Sequence, residues 1–542
     1  MSAPPKKPSP QDCEPTEPSQ RLQGRRAFIE TAAGATVLLT AGCTGGGDSM
    51  AEAETDGGTT GSVGSSSEGG ETGFESSSES GETDTDSEPP GERVPFDAEG
   101  VPESTDVFPR TPMAGLMEAD SFVVSGHVAT GELVTLRVWQ PAEVDGEVYL
   151  VAEETLTPDE YGFVKTRVAA LEGGQWYAWG LFSGDAEDGF AARSLLCRVR
   201  TALAEGQLEP VSAVIAACVG RGILPEYVDP EDLQPVEVWD SMVQAASLDY
   251  DAFIHLGDQG YLDNVWDAGG THQQYLDAWG AYHGGGYRAV YPNSGLYFTW
   301  DDHEVTNNGT VELWTDVPED RERIDAAQRA YYRVMPIDAE APAERPLWGS
   351  YQWGDTVEFI VLDCRSERQA PETGVYVSDA QFQFLLERLR DSPCRFKCVV
   401  NSVPFSRLNL PPDVPLIEQL VDPDDRWEGY QTQRDALKAF VDEHALTGIV
   451  WVTGDVHMCY VGQIEGEPST RADSMWEVCV TSGNTNPLAN QLPEEQFPWR
   501  SSNPHVPRLT FEPAADPADD RVVVEFIDTA GQVAHRRELS LG

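Results

Sequence analysis

Positive charge is what this chain has least of. It carries 36 Lys and Arg against 92 Asp and Glu, a formal net charge of -56 over 542 residues. Gripping a nucleic-acid backbone requires a basic footprint, so nucleic acid is excluded as a partner. Phosphate chemistry is not excluded, because bound cations invert a local field. No CxxC pair occurs among the nine cysteines, so no paired-cysteine metal hook is indicated. No serine sits in a GxSxG turn, which disfavours acyl transfer of that type. No internal repeat is present. The apolar run behind Arg25 and Arg26 is too short to span a bilayer as a helix.

That run has the proportions of a signal peptide. Residues 1–43 pair two arginines with Phe28, a short apolar stretch and the sequence Leu39-Thr40-Ala41-Gly42-Cys43. The arginines resemble a twin-arginine signal and the end resembles a lipobox, with Cys43 as the lipidated residue. The expectation is export in the folded state, a lipid anchor as the sole membrane contact, and a periplasmic or cell-surface location. The alternative is an ordinary cleaved signal with a nearby cysteine. Residues 44–103 are mainly Gly, Ser, Thr, Glu and Asp, which cannot bury enough surface to offset their ordering entropy, and are expected to form a disordered acidic tether.

Hydrophobic residues make up 40% of the chain, enough for a sizeable core. Residues 104–205 alternate with period two, as in SFVVSGHVA, LVTLRVWQ and QWYAWGLFSG, and predict a small all-β domain of the immunoglobulin or fibronectin kind. Over residues 206–542 short apolar strands alternate with amphipathic helices such as RERIDAAQRAYYRVM and QTQRDALKAFVDEHAL, which predicts layered α/β structure. The tail reads as a hairpin turning at Thr529-Ala530-Gly531. Cys13 and Cys43 belong to the leader. The other seven cysteines are odd in number, so at least one is unpaired, and Cys394 and Cys398 read as structural thiols or a disulfide.

The chemistry gathers at strand ends. One strand delivers Cys218. The next gives Gly257-Asp258 and Tyr261. YFTWDDHEVTNN gives Trp300, Asp301, Asp302, His303, Glu304, Asn307 and Asn308. The next gives Asp363, Arg365 and Arg368, and GDVH gives Asp455 and His457. Each piece alone is weak; their order and regular placement are not. Oxygen-rich groups hold hard cations, and a thiolate or phenolate favours iron. Two such ions can serve an in-line attack on phosphorus, with arginine forks on the non-bridging oxygens.

These motifs, Ala217-Cys218, GDQGY, WDDHEVTNN, LDCRSER, FKCVVNSVPFS and TGDVH, resemble the PhoD-like alkaline phosphatase and phosphodiesterase family of the metallophosphatase superfamily. The resemblance implies a calcineurin-like αββα sandwich behind the all-β domain, and a mixed Fe³⁺ and Ca²⁺ centre, with other divalent ions as substitutes. It implies hydrolysis of phosphate monoesters or diesters by metal-activated hydroxide. Cys218, Asp258 and Tyr261 would bind the iron, with Asp258 bridging. Asp455, His457 and an Asp or Asn of the DDHEVTNN run, Asp302 and Asn307 foremost, would complete the centre. Spacing alone does not choose among Asp302, Asn307 and Asn308. His303 would serve the leaving group and Arg365 would clamp phosphate, with Trp300 on the substrate side. Asp301, Glu304, Asn308 and Arg368 would cap, orient or pair with these. Val219-Gly220 after the cysteine and Leu262 after the tyrosine depart from the family pattern.

Two other expectations complete the reading. The enzyme is expected to be a monomer. The competing function is a lipid-anchored surface binding protein with a degenerate metallophosphatase body. Outside the motifs, His127 reads as a rim residue and His255 as a core residue. His272 and His283 lie in an insert that would roof the site, and His505 and His535 receive no role.

Overall fold

The computed structural model describes residues 91–541, except residues 130, 143, 145, 185–188, 223–224, 309 and 411–421. The leader with Cys43, and the tether as far as residue 90, lie outside the described residues. Eight strands come first: β1 (Glu92–Pro95), β2 (Met113–Gly115), β3 (Phe122–His127), β4 (Val134–Pro141), β5 (Glu147–Leu156), β6 (Phe163–Val168), β7 (Trp176–Ser183) and β8 (Cys197–Arg200). The tether therefore ends before residue 103. Glu92–Pro95 pairs antiparallel with β5, because Val94 and Phe96 pack onto the apolar cluster of Trp139, Val148 and Phe182.

Three further strands, β9 (Val211–Ala216), β10 (Ala252–His255) and β11 (Gly295–Phe298), run parallel to one another. A second set comprises β12 (Gly349–Trp353), β13 (Val357–Val361), β14 (Phe396–Val400), β15 (Ile449–Thr453), β16 (Cys459–Gln463), β17 (Trp476–Cys479) and β18 (Trp499–Ser501). Strands β19 (His505–Glu512), β20 (Arg521–Asp528) and β21 (Val533–Ser540) close the chain, the last two as the expected hairpin.

Among the described residues these strands form three sheets, ordered β1-β5-β4-β7-β8, β21-β20-β19-β9-β10-β11-β2-β3-β6 and β12-β13-β14-β15-β17-β16-β18. The seven-stranded sheet is buried on both faces, and period two shows how. Val357, Phe359 and Val361 share a core with β9 and β19 residues, whereas Ile360 and Leu362 join the core under the helices Asp379–Asp391 and Gln431–Glu443. Phe359 and Phe396 meet Phe511 of β19, with ring centroids 5.7 Å apart in each pair. The helices Asp240–Ala246, His272–Ala281 and Pro318–Val334 contribute Met242, Leu276 and Ile324 to the first core. This is the αββα order of layers that the family resemblance implies, within the layered α/β structure that strands alternating with helices predict.

The N-terminal region is all-β, but residue 205 is not a seam. Strands β2, β3 and β6 extend the nine-stranded sheet through the bridge Leu296↔Gly115. The join is close-packed. A Cβ on Gly295 would lie 2.1 Å from Met117 Sδ, and one on Gly115 would lie 2.6 Å from Pro336 Cγ. Tyr297 Oη donates to the Met117 carbonyl at 2.7 Å, and Ser125 Oγ to that of Val334 at 3.0 Å. Residues 91–541 accordingly fall in one compact unit. The boundary was invisible in sequence because edge strands of either domain show the same alternation.

A prediction follows from the shared sheet. Calorimetry on the full chain is expected to give one transition for residues 91–541, and limited proteolysis no stable fragment beginning near residue 206. Such a fragment, folded and cooperative, would restore the two-domain picture.

Candidate metal centre

Four of the eight non-glycine residues with positive φ among the described residues are candidate ligands: Cys218 (50°), Asp258 (53°), Asp455 (67°) and His457 (56°). Each follows a parallel strand, at β9, β10 or β15. Left-handed backbone costs such residues roughly 1–2 kcal/mol each. The concentration of that strain at strand ends marks a built site. The glycines of the two GD pairs make room for it. A Cβ on Gly257, itself at φ 109°, would meet Asp301 Cβ at 2.6 Å. One on Gly454 would meet Ala217 Cβ at 2.7 Å.

The loops bring three groups of ligand atoms together, each group within 4.8 Å: Cys218, Asp258 and His457; Asp258, Asp302 and His303; Asp301, Asp302 and Asp455. Asp258 belongs to two groups, as does Asp302. Tyr261 Oη lies 3.2 Å from Asp258 Oδ2 and 3.2 Å from His457 Nε2. Asp258 Oδ1 and Asp301 Oδ2 are buried without a hydrogen-bond partner. Burial, then the charges of Asp258 and Asp455, pushes the Cys218 thiol well up. Burial and then Asp258 do the same to Tyr261. Burial and then Asp425 and Asp301 raise Asp455, and burial lifts Asp301 to about 7 against the pull of Arg365. Ligands must shed these protons, which added positive charge promotes. Orphaned carboxylate oxygens beside a thiol, a phenol and an imidazole fit hard and borderline cations.

Two carboxylates organise the loops. Glu304 is fully buried. Its Oε2 accepts from the main-chain N–H of Asp258 at 3.1 Å and of Asp301 at 2.7 Å, and its Oε1 from Gln259 at 2.5 Å. One side chain thus staples the loop after β10 to the loop after β11. Asp263 bonds His303 Nδ1 at 2.7 Å and accepts from Asn307 N at 2.9 Å. Burial would lower the His303 pKa, but Asp263, Asp302 and Asp258 hold it well above the usual histidine range. Asn308 N donates to Asp302 Oδ2 at 2.8 Å, so both asparagines meet the cluster through main-chain groups.

Two assignments are corrected. Trp300 does not face substrate: it is 0% exposed, donates to Asp363 Oδ1 at 2.9 Å and packs on Tyr331. Its neighbours Thr299 and Asp301 are buried as well, and packing on Tyr331 holds its ring inside. Arg365 is not an open phosphate fork. It is 1% exposed, and Asp301, Asp302, Asp425 and Asp455 occupy both edges of its guanidinium. Arg368 bonds Asp425 at 2.6 Å and Glu312 at 3.3 Å. His255 is interior, bonded to Tyr287 Oη at 2.9 Å. The expected roof loses His283, which is buried against Trp279. Cys394 and Cys398 form no disulfide; the seven described cysteines are buried free thiols.

Sequence reasoning missed Asp425, Asp263 and Asn484. Asp425 sits in a Pro-Asp-Asp turn with no strand before it, so only the fold reveals it. Asp263 follows the tyrosine of the GD motif by two positions. Asn484 follows β17 and so obeys the strand-end rule. It is fully buried, its N–H donates to the Cys218 carbonyl at 3.0 Å, and both amide atoms lack partners. A Cβ on Gly220 would lie 2.4 Å from Asn484 Oδ1, which accounts for the small residue after Val219.

Residues 232–514 match the family model described as PhoD-like phosphatase. Alkaline phosphatase D of Bacillus subtilis (strain 168) is 27% identical over 277 residues, 44% of this chain and 46% of that protein, so the chain spans about half the length of that relative. Among solved structures, that of PhoD superposes with a TM-score of 0.63 at 19% identity, covering 81% of this chain and 90% of the other. Purple acid phosphatase PPD1 from yellow lupin (Lupinus luteus) seeds gives a TM-score of 0.53 at 14% identity, over 80% and 75%. At these identities the two structures speak to the fold.

The Glu304 staple is testable by itself. Glu304→Ala strands three buried N–H groups and is expected to lower stability by about 3 kcal/mol or more in urea unfolding. A change below about 0.5 kcal/mol would show that the loops hold without it.

Proposed function

The chain belongs to the PhoD-like phosphatase family, and from that membership we propose that it is a metal-dependent phosphoesterase acting on phosphate monoesters or diesters. The observation that carries the reading is the pair of ligand groups joined at Asp258, with carboxylate oxygens still unpartnered, at the ends of parallel strands. Open α/β sheets bind their ligands at that edge. In this reading Fe³⁺ would be held by Cys218, Asp258, Tyr261 and His457, and Ca²⁺ by Asp258, Asp302 and Asp455 with Asp301 beside them, with Asn307 and Asn484 within the same loops. When bound, such a pair of ions supplies positive charge to a phosphoryl group and acidifies water.

The chain's own residues supply the rest. Asp258 carries its carboxylate into both groups and fixes their separation. Glu304 holds the two loops rigid, so ligand geometry costs little reorganisation when substrate arrives. Burial disfavours charge on His303, but Asp263, Asp302 and Asp258 favour its protonated form, and the Nδ1 contact with Asp263 fixes the ring. Its Nε2–H is the proton we assign to the departing ester oxygen. Export by the twin-arginine route, lipidation at Cys43 and a periplasmic or cell-surface location belong to the same proposal. They are supported by the paired arginines and the Leu-Thr-Ala-Gly-Cys sequence. The net charge of -56 supports small esters over nucleic acid as substrate.

Two measurements test the reading. Chelation is expected to abolish hydrolysis of a chromogenic phosphomonoester and of the matched diester, and added cations to restore it; turnover that survives complete metal removal would sink it. His303→Gln is expected to lower kcat/KM by at least about 100-fold for an alkyl phosphate and by about tenfold or less for a nitrophenyl ester, whose leaving group needs no proton. Equal losses on both substrates would remove His303 from the leaving-group step.

A further inference from the structure

Asp301, Asp302 and Asp455 form a carboxylate group of metal-binding dimensions, and Arg365 touches all three. Its Nε donates to Asp301, and its Nη2 lies 3.4 Å from Asp302 and 3.2 Å from Asp455. The far edge of the same guanidinium is bound elsewhere. Nη1 donates to Asp425 Oδ1, and Nη2 also reaches Asp425 Oδ2 at 3.2 Å. Asp425 is in turn pinned by Arg368, to its carboxylate at 2.6 Å and its carbonyl at 2.7 Å. Arg365 therefore spans two stations, an inner one of three carboxylates and an outer one on Asp425.

A guanidinium keeps its proton at any working pH, so this positive charge cannot be removed by titration. It spreads one charge over a planar fork. A calcium ion concentrates two charges at 2.3–2.6 Å from each oxygen. Both draw on the same inner carboxylates. Arg365 reaches one oxygen of each carboxylate, and of those it leaves, Asp301 Oδ2 is buried with no hydrogen-bond partner. Resting on the metal-dependent reading above, we propose that Arg365 is a built-in counter-ion of the inner carboxylates. A divalent cation entering them competes with it, and the Asp425 station sets how readily Arg365 yields. Arg365 is then a positioning residue that tunes cation affinity rather than one that touches substrate.

The test uses the full chain stripped of metal, with Ca²⁺ affinity measured by chelator competition. Arg365→Gln is expected to bind Ca²⁺ at least about tenfold more tightly than wild type, and Arg365→Lys, which keeps the charge, within about threefold of it. Removing the guanidinium leaves four carboxylates facing one another, so the Gln variant can lose its fold without cation. Asp425→Asn supplies an independent reading. With the outer station weakened, Arg365 settles on the inner carboxylates and Ca²⁺ binding drops by about threefold or more. Arg365→Gln binding no more tightly than wild type, or Asp425→Asn binding as tightly or more so, overturns the competition while leaving the phosphoesterase reading intact. Absence of any divalent binding by the wild-type chain would bring down both.

Discussion

Between the ends of β9, β10, β11 and β15 the chain gathers the buried Asp258, Asp301, Asp302 and Glu304 and the partly buried Asp455 in one small volume, and the free energy of that burial has to be met residue by residue. Isolated, each carboxylate would protonate or drive the loops apart. The structure answers in three ways. Glu304 takes three main-chain N–H groups. Asp301, Asp302 and Asp455 share Arg365. Asp258 lies under the pull of His303 and His457 and is held at a pKa of about 2 although burial alone would raise it. The oxygens left over are those a cation would use.

This requirement explains the scaffold as well as the site. Carboxylates can be kept close only if their backbones are fixed, and the fixing is done by parallel strands buried on both sides. Positive φ at Cys218, Asp258, Asp455 and His457 re-aims each side chain within four residues of its strand. Behind the loops, Thr299 Oγ1 donates to the Leu362 carbonyl at 2.6 Å, and Trp300 Nε1 bonds Asp363. These bonds tie the end of β11 to the end of β13, so the two facing sheets cannot slide without breaking the centre.

Much of this was legible in the chain. Apolar runs of four to six residues ending in Gly-Asp, Asp-Asp-His or Cys announced the parallel strands at the heart of both mixed sheets and the edge where ligands gather. The helices over Pro318–Val334, Asp379–Asp391 and Gln431–Glu443 were plain from their 3.6-residue pattern. What stayed hidden depended on contacts distant in sequence. Asp425 acquires meaning only beside Arg365 and Arg368. Trp300 was misread because the residues after it are polar and its own orientation is set by Tyr331. Strands β3 and β6 are legible as strands and the three-residue β2 is not, and nothing local says that β2 pairs with β11.

The order of the nine-stranded sheet carries a kinetic consequence. Its interior strand β9 lies between β10, which follows within 50 residues, and β19, which begins at His505, almost 300 residues later. Synthesis thus delivers β9 long before one of its two neighbours. Until β19 to β21 emerge, the edge of β9 and the apolar face around Val214 have no partner, and the loop bearing Cys218 has one flank missing. Pairings of such long sequence separation form slowly and expose aggregation-prone edges while they wait. The ligand loops therefore reach their final geometry only after β19 to β21 have been made, so the Cys218 loop waits on strands almost 300 residues downstream.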